Sequence, residues 1–394
     1  MQQVIIGASA AGLTAAKLIR QQRPEDEITV VSIDTQTYSR CKLHYFLSGQ
    51  RTATEINFVA ADFFEKNRIH WKKGVRADRL EPQENRVHLS NKTQLAYDQL
   101  LLASGANYVV PPLPNFRTAN NVYGLRSLSD AQRIAAVARH GKQCVIIGSG
   151  LVGLDAASAL CARGIRCAIL ELADRISPLQ LDTTAAAAYQ RLFEQAGCRF
   201  YLAQKAIGSQ TDAQGNITAV LLENNTTISC DFVLTAAGVR PAIDFLEGSG
   251  IETGRAVMVD QFLRSNLENI WAAGDVTGIT GVWPSAVQQG EIAAKNMCGE
   301  RVPYTDTQGL KNAMNFYGLS TLSIGVNDQQ PTDQVVVEHT GNSYKRAILR
   351  DGVLTHVILQ GDLSDALFWQ ELVKNRVAVG GLKKPLFALS RADF

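Results

Sequence analysis

Twice in this chain a short apolar run ends in a glycine turn that opens a helix of small residues. That repeat limits the fold more than any other feature. Val4-Ile5-Ile6 runs into Gly7-Ala8-Ser9-Ala10-Ala11-Gly12 and then Leu13-Thr14-Ala15-Ala16. Cys144-Val145-Ile146-Ile147 runs into Gly148-Ser149-Gly150-Leu151-Val152-Gly153, again followed by small residues. Each copy reads as a buried strand, a tight turn and the first turns of a helix. A dinucleotide pyrophosphate needs this arrangement. The first glycine lets the chain turn sharply, small side chains let backbone N–H groups reach the phosphates, and the last glycine lets helix and strand pack closely. In the first copy Ser9 replaces the middle glycine, and its hydroxyl can itself donate to a phosphate. The expected phosphate contacts are Gly7, Ser9, Ala11 and Gly12 in one copy and Gly148, Gly150 and Gly153 in the other. One copy alone is also compatible with an ordinary buried strand-turn. Two copies read as an internal duplication, and two dinucleotide sites imply a cofactor pair, most economically a bound flavin and a diffusing nicotinamide.

A carboxylate past such a turn normally takes ribose hydroxyls. In the strand Glu27-Ile28-Thr29-Val30-Val31-Ser32-Ile33-Asp34 the spacing points at Ser32, with Asp34 two residues on and on the same face if the strand continues. Asp34 is the expected ribose acceptor; its alternative is to cap the strand-end turn. After the second glycine turn, Cys167-Ala168-Ile169-Leu170 ends at Glu171. Leu101-Leu102-Ala103-Ser104-Gly105 reads as a buried strand ending in small residues, which suits backbone lying close to a ligand. Thr235-Ala236-Ala237-Gly238-Val239-Arg240-Pro241 is a second such ending, and Asn269-Ile270-Trp271-Ala272-Ala273-Gly274-Asp275 is an apolar strand closed by a lone acid.

At 394 residues the chain exceeds one core, and the bend Pro111-Pro112-Leu113-Pro114 marks a domain crossing. From about residue 307 short strands are expected at Thr321 to Gly325, Gln334 to Glu338, Tyr344 to Leu349 and Leu354 to Gln360, then a helix near Ala366 to Lys374, an α+β module. Apolar residues at 46% and charged ones at 19% allow a large core and argue against disorder. A net charge of +2 without a basic run gives no nucleic-acid footprint, and no apolar run of about 18 residues is present to span a bilayer. A first strand starting at residue 4 leaves no room for a signal peptide, so a cytoplasmic setting is expected. Seven scattered cysteines form no C-x-x-C or C-x4-C pair and six histidines no ligand spacing. A disulfide framework, an iron–sulfur cluster or a metal site is therefore not expected. Cys144 and Cys167 read as small buried hydrophobes.

Taken together, these residues resemble the pyridine nucleotide–disulfide oxidoreductase superfamily, in the branch without a redox dithiol. That branch includes rubredoxin reductases, the flavin portion of assimilatory nitrite reductase, NADH oxidases and coenzyme A disulfide reductases. The resemblance rests on both glycine turns, Leu102 to Gly105, Glu171, Leu179-Gln180-Leu181-Asp182, Gly238 to Pro241, Trp271 to Asp275 and Trp283-Pro284-Ser285-Ala286-Val287-Gln288-Gln289-Gly290. It implies an α/β fold of two Rossmann-like domains of the glutathione-reductase type plus the C-terminal α+β domain. An FAD domain would comprise 1–109 and 231–306, an NADH domain 110–230 and an interface-like domain 307–394. FAD would lie on the first turn with Asp34, Arg40, Ala103, Ser104, Gly105 and Gly274, and Asp275 would bond its ribityl chain. The helix begun by Ser285 to Gly290, with Val287, would aim its positive end at the flavin. NADH would lie on the second turn with Glu171, and Gly238, within the expected FAD domain, would also be a cofactor contact. Because Glu171 accepts from ribose hydroxyls and repels a 2′-phosphate, NADH is preferred over NADPH; Arg175 nearby is the opposing charge.

What differs within the superfamily is the electron acceptor, and Tyr38-Ser39-Arg40-Cys41-Lys42-Leu43-His44 bears on it. The C-x4-C pair of the dithiol enzymes is missing. Cys41 lies near the place of the single cysteine of NADH oxidases and coenzyme A disulfide reductases, but between Arg40 and Lys42, as in rubredoxin and nitrite reductases. The peroxide-reducing oxidases carry a histidine where this chain has Ala10. The expected activity is electron transfer from NADH through FAD to a small redox protein such as rubredoxin or ferredoxin. Arg40 and Lys42 would stabilise reduced flavin or serve as solvated loop charges, and Cys41 would line the site. The alternatives are a thiol enzyme using Cys41 and a redox-sensing flavoprotein. A homodimer is compatible, with Phe368 and Trp369 read either as its anchors or as core.

Overall fold

In the computed structural model, which describes residues 1–305, 311–341 and 343–394, the duplication is carried by two parallel five-stranded sheets. The first runs Ile69–Lys73, Glu27–Ser32, Gln2–Ile6, Gln99–Leu102, Ile270–Ala272; the second runs Cys198–Tyr201, Arg166–Leu170, Gln143–Ile147, Phe232–Thr235, Val122–Gly124. In both, the strand before the glycine turn is central and so is buried on both faces. That is why Val4-Ile5-Ile6 and Val145-Ile146-Ile147 read as continuous apolar runs.

The correspondence reaches single hydrogen bonds. Gly7 N–H donates to Val31 C=O and Gly148 N–H to Leu170 C=O, both at 2.8 Å. Ala103 N–H donates to Ile6 C=O and Ala236 N–H to Ile147 C=O, again at 2.8 Å. Each sheet also carries a three-stranded antiparallel meander, Ala77–Glu81 with Arg86–Leu89 and Gln94–Ala96, and Ala206–Thr211 with Ile217–Leu222 and Thr227–Ser229. The sequence reading did not anticipate either meander. In the first sheet Ile5, Ile28, Val30 and Leu101 face the helices Ala10–Gln22 and Trp283–Met297, while Val4, Ile6, Leu100 and Leu102 pack on Leu80, Val87 and Tyr97 beneath the meander.

The chain forms two compact units: Met1–Tyr108 with Arg126–Leu128 and Val239–Thr307, and Val109–Leu125 with Ser129–Gly238 and Gln308–Phe394. This differs from the expected boundaries. The strand Phe232–Thr235 pairs with Gln143–Ile147, so the first unit resumes at Val239 rather than residue 231. An apolar strand announces burial without saying in which sheet. The Glu27 strand stops at Ser32, which leaves Asp34 in the loop beyond it. The helix expected from Ser285 begins at Trp283, with Pro284 in its first turn where the missing N–H costs nothing.

Within the second unit the C-terminal module is a five-stranded antiparallel sheet, Lys311–Phe316, Leu319–Gly325, Val353–Gln360, Ser343–Arg350, Gln334–Thr340, followed by the helix Ala366–Lys374. Trp369 is 1% exposed and packs on Phe387, so it belongs to this core and anchors no contact outside it. The sheet's other face is polar and meets the helix Thr183–Gln195. Tyr189 donates to Leu319 C=O at 2.8 Å, Tyr344 to the Asp182 carboxylate at 2.5 Å, and Gln360 to Ala185 C=O at 3.2 Å. Among the described residues no helix is long and apolar enough to cross a membrane.

His356 lies fully buried on that polar face, with Nε2 3.0 Å from Ser323 Oγ and Nδ1 without a partner among the described residues. Burial, reinforced by the Arg346 charge, lowers its pKa from 6.5 to about 3. Protons therefore bind the unfolded chain before the folded one. The stability this neutral imidazole contributes is complete above about pH 6.5 and is lost as pH falls toward 3. Chemical unfolding of wild type and His356→Gln between pH 7 and 4 checks this: the variant is expected to lose less stability across the interval, and parallel pH slopes would refute it.

Candidate functional site

The first glycine turn floors a cavity of about 550 Å³ lying wholly within the first unit. Gly7 sits at φ +123°, and a Cβ there would overlap the Ala103 carbonyl. A Cβ on Gly12 would overlap the Gly7 carbonyl. Ala8, Ser9, Ala10 and Ala11 keep the floor shallow. The helix Ala10–Gln22 starts at Ser9 without a side-chain cap and without an acid in its first turn. Its leading N–H groups are thus available to a phosphate, with the helix dipole favouring one. The residues present fit a dinucleotide.

Around the cavity stand Asp34, Arg40, Cys41, Ala103, Ser104, Gly105, Arg126, Gly274 and Asp275. Ser32, the residue favoured by spacing, spends its hydroxyl on Asp34 C=O and accepts from Trp71 Nε1. The Asp34 carboxylate takes a 2.7 Å hydrogen bond from Tyr38 and faces Arg40 at 3.5 Å. Burial raises the Tyr38 pKa, so the phenol stays protonated and donates. Arg40 is no solvated loop charge: it is 23% exposed and donates at 2.6 Å to Arg126 C=O. Arg126 donates to Ala106 C=O at 2.9 Å and pairs with the Asp275 carboxylate. Asp34, Arg40, Arg126 and Asp275 thus form one chain of charges along the cavity. Cys41 lines it and is exposed. Lys42, Gly12 and Val287 are not among the lining residues, and Gly238 belongs to the second unit.

Ser104 fixes its own loop by donating to Ala242 C=O at 2.8 Å. The Trp283 helix brings Trp283 and Ala286 of its first turn to the cavity, and Gly290 lets it ride against Ala11, where a Cβ would overlap backbone. From the same helix the buried Gln289 accepts from Gly274 N–H at 2.8 Å and Thr277 Oγ1 at 3.1 Å. Sequence reasoning assigned no role to Arg126 or Gln289. Arg126 stands in no motif; Gln289 lies within one, but its side chain's direction is fixed only by tertiary packing.

In the second unit a Cβ on Gly148 would crowd Ala236, and one on Gly153 would overlap the Gly148 carbonyl, whereas beside Gly150 the space is open. The helix Leu151–Cys161 begins at Gly150, again without a side-chain cap or an acid in its first turn. Ser149, fully buried, donates through N–H at 2.9 Å and Oγ at 2.7 Å to one Glu171 oxygen, and Ala173 N–H donates at 3.0 Å to the other. The carboxylate is held ready beside the turn. Arg175, the opposing charge in the sequence, is turned onto its own loop, donating to Leu181 C=O at 3.0 Å and pairing with Asp174 at 2.8 Å.

Residues 1–290 match the family model described as pyridine nucleotide-disulphide oxidoreductase, and 311–377 match that of the rubredoxin NAD+ reductase C-terminal domain. The chain is 30% identical to the epsilon subunit of the NADH-dependent phenylglyoxylate dehydrogenase of Aromatoleum evansii, over 98% of this chain and 94% of that protein. With the assimilatory nitrate reductase electron transfer subunit of Bacillus subtilis it shares 27% identity over 92% of this chain, but only 48% of that protein. With the NADH-rubredoxin oxidoreductase of Clostridium acetobutylicum it shares 25% over 92% and 91%. A ferredoxin reductase from Rhodopseudomonas palustris has the same fold, with a TM-score of 0.88 at 22% identity over 100% of this chain and 98% of that one.

If Gln289 holds the turn before Asp275, Gln289→Leu leaves the buried Gly274 N–H unpaired at a cost of about 2 kcal/mol. A lowered thermal midpoint together with faster loss of bound flavin is expected. Unchanged flavin retention would separate Gln289 from the site.

Proposed function

Because the chain belongs to the pyridine nucleotide-disulphide oxidoreductase family, we propose that it is an FAD-dependent NADH oxidoreductase passing electrons to a small redox protein of the rubredoxin or ferredoxin type. One observation carries the reading. Among the described residues lining the flavin-sized cavity, Cys41 is the one cysteine, so a disulfide relay has no second sulfur and the electrons leave to an outside acceptor. FAD, when bound, supplies the step between the two-electron donor NADH and a one-electron acceptor.

The chain's residues would bind, orient and balance charge. Backbone N–H groups of the first turn and of the Ala10 helix would hold the FAD pyrophosphate, Asp34 its adenosine ribose and Asp275 its ribityl hydroxyls. Ala103 to Gly105 would lie along it as bare backbone. Arg40 and the start of the Trp283 helix would offset negative charge on the reduced ring. Gly148, Gly150 and Gly153, with Gly238 nearby, would take the NADH pyrophosphate, and Glu171 the adenosine ribose hydroxyls. Lys42, outside the cavity lining, would act only through its longer-range field. The reading includes a cytoplasmic setting, where NADH is supplied. The exposed edge strand Gln334–Thr340, with Val337 51% exposed, supports a homodimer, which light scattering of the purified chain would test.

A second reading has its own support: Cys41 is exposed at the cavity and could act as a thiol on coenzyme A disulfide or a related substrate. Cys41→Ser is expected to keep full NADH-driven transfer to a one-electron acceptor, and anaerobic NADH reduction to release no extra titratable thiol; recovery of one thiol per chain would favour the thiol enzyme. The relative matched end to end is named as a dehydrogenase subunit, so the redox partner in this reading can also be a subunit bound to the chain.

For the nicotinamide site, kcat/KM should be higher with NADH than with NADPH. Glu171→Gln should raise the KM for NADH about 10-fold with little change in kcat, the loss expected for one charge-assisted hydrogen bond. A wild-type preference for NADPH would overturn the role given to Glu171.

A further inference from the structure

Three of the seven cysteines meet in the second unit, far along its helix from the glycine turn. Cys161 is the last residue of the helix Leu151–Cys161, while Cys167 and Cys198 are direct neighbours on adjacent parallel strands. The Cys161 and Cys198 sulfurs stand 3.3 Å apart, so closing to the ~2.05 Å of a disulfide needs a shift of little more than an ångström. Cys161 is partly exposed, whereas Cys167 and Cys198 are 2% and 4% exposed. Cys167 Sγ lies toward the Ile165 and Ala157 carbonyls at 3.9 and 4.0 Å and also interacts with Cys161, while Cys198 is the sulfur that stands 3.3 Å from it. Among the described residues no three His, Cys, Asp or Glu side chains are arranged to hold a metal ion, so the cluster is one of thiols.

We propose that Cys161 and Cys198 are a redox-active pair that closes to a disulfide on reaction with a hydroperoxide. Cys161, reachable from solvent, is the attacking sulfur. The neighbouring thiols donate to it and lower its pKa, favouring the thiolate. The thiolate attacks one peroxide oxygen, the O–O bond breaks, and the other oxygen leaves as alcohol or water after taking a proton. Cys161 is then a sulfenic acid. The Cys198 sulfur attacks it, the S–S bond forms, the S–O bond breaks, and the hydroxyl leaves with the Cys198 proton as water. Two electrons pass from the sulfur pair to the peroxide. The bond ties the end of the glycine-turn helix to the neighbouring strand and is reopened by an external dithiol. This pair belongs to the second unit and involves neither Cys41 nor the cavity of the first.

The test uses the full chain with flavin bound, pre-reduced, freed of reductant and treated with one equivalent of hydrogen peroxide. Free thiols are blocked with N-ethylmaleimide and the protein is digested without reduction for peptide mass analysis. A cross-linked Cys161–Cys198 peptide that disappears on dithiothreitol treatment is expected. In Cys198→Ser, dimedone should trap a Cys161 sulfenic acid several-fold more than in wild type, and in Cys161→Ser the Cys198 thiol should stay unmodified. Flavin absorbance of each variant reports that it is folded; Cys198→Ala replaces the serine variant if needed. A Cys161–Cys167 link, equal dimedone labelling in wild type and Cys198→Ser, or an unreacted Cys161 would overturn the proposal.

Discussion

The rest of this structure depends on two places where backbone meets backbone without room for a side chain. Gly7 passes so close to the Ala103 carbonyl, and Gly148 so close to that of Ala236, that any Cβ would have to displace main chain. These contacts bring the end of the central strand beside the end of its neighbour and aim the following helix's unsatisfied N–H groups at the space above the sheet. Everything functional is arranged around those openings. The carboxylates come at or just past the next strand's end, the small-residue loops from the neighbouring strand, and the first cavity is closed by the loop that leaves a third strand, Ile270–Ala272, and reaches Asp275.

That geometry explains what could be read from the sequence. A residue type is forced only where alternatives clash, so both turns, their order and the duplication stood out in Gly7, Gly12, Gly148 and Gly153. The central C-terminal strands carry runs of four or five buried positions bounded by turns, and the helix Ala366–Lys374 appeared where its apolar spacing placed it. Strand membership was a different matter. Phe232 to Thr235 is apolar because it is buried, and burial in one sheet looks the same as burial in another. The two meanders escaped because their strands are short and half polar, as in Gln94–Ala96, with one side in solvent.

Within the site, motif residues were legible and their restraints were not. Asp34, Glu171 and Asp275 could be named, but the sequence carried no sign that Tyr38 and Arg40 hold the first, Ser149 the second and Arg126 the third. Each restraint joins side chains brought together by folding rather than by spacing. Arg175 shows the converse error. It is a cation close in sequence to Glu171, yet the structure spends it on the Leu181 carbonyl and Asp174.

The two turns, alike in backbone, differ in what surrounds them, and the proposed assignment of FAD to the first and NADH to the second would draw on that difference. At the first, the carboxylates sit in a network with two arginines inside a cavity, and a separate helix, locked by Gly290 against Ala11 and by Gln289 to Gly274, brings its first turn to the same space. A ligand there touches segments distant in the chain, so its release needs several of them to part. At the second, the acceptor Glu171 is braced, among the described residues, by its own turn and by the adjoining loop. A Cβ on Gly150 would meet nothing within 4 Å among the described residues, and Val152, Leu172 and Leu179 are 44%, 72% and 79% exposed. A ligand bound there is gripped by a preformed carboxylate and a helix end, contacts that are made and broken without rearranging the sheet. Such a site pays little ordering entropy on each encounter. With FAD at the first turn and NADH at the second, as proposed, retention at one and exchange at the other would follow from how many separate elements close each opening, with the glycines common to both.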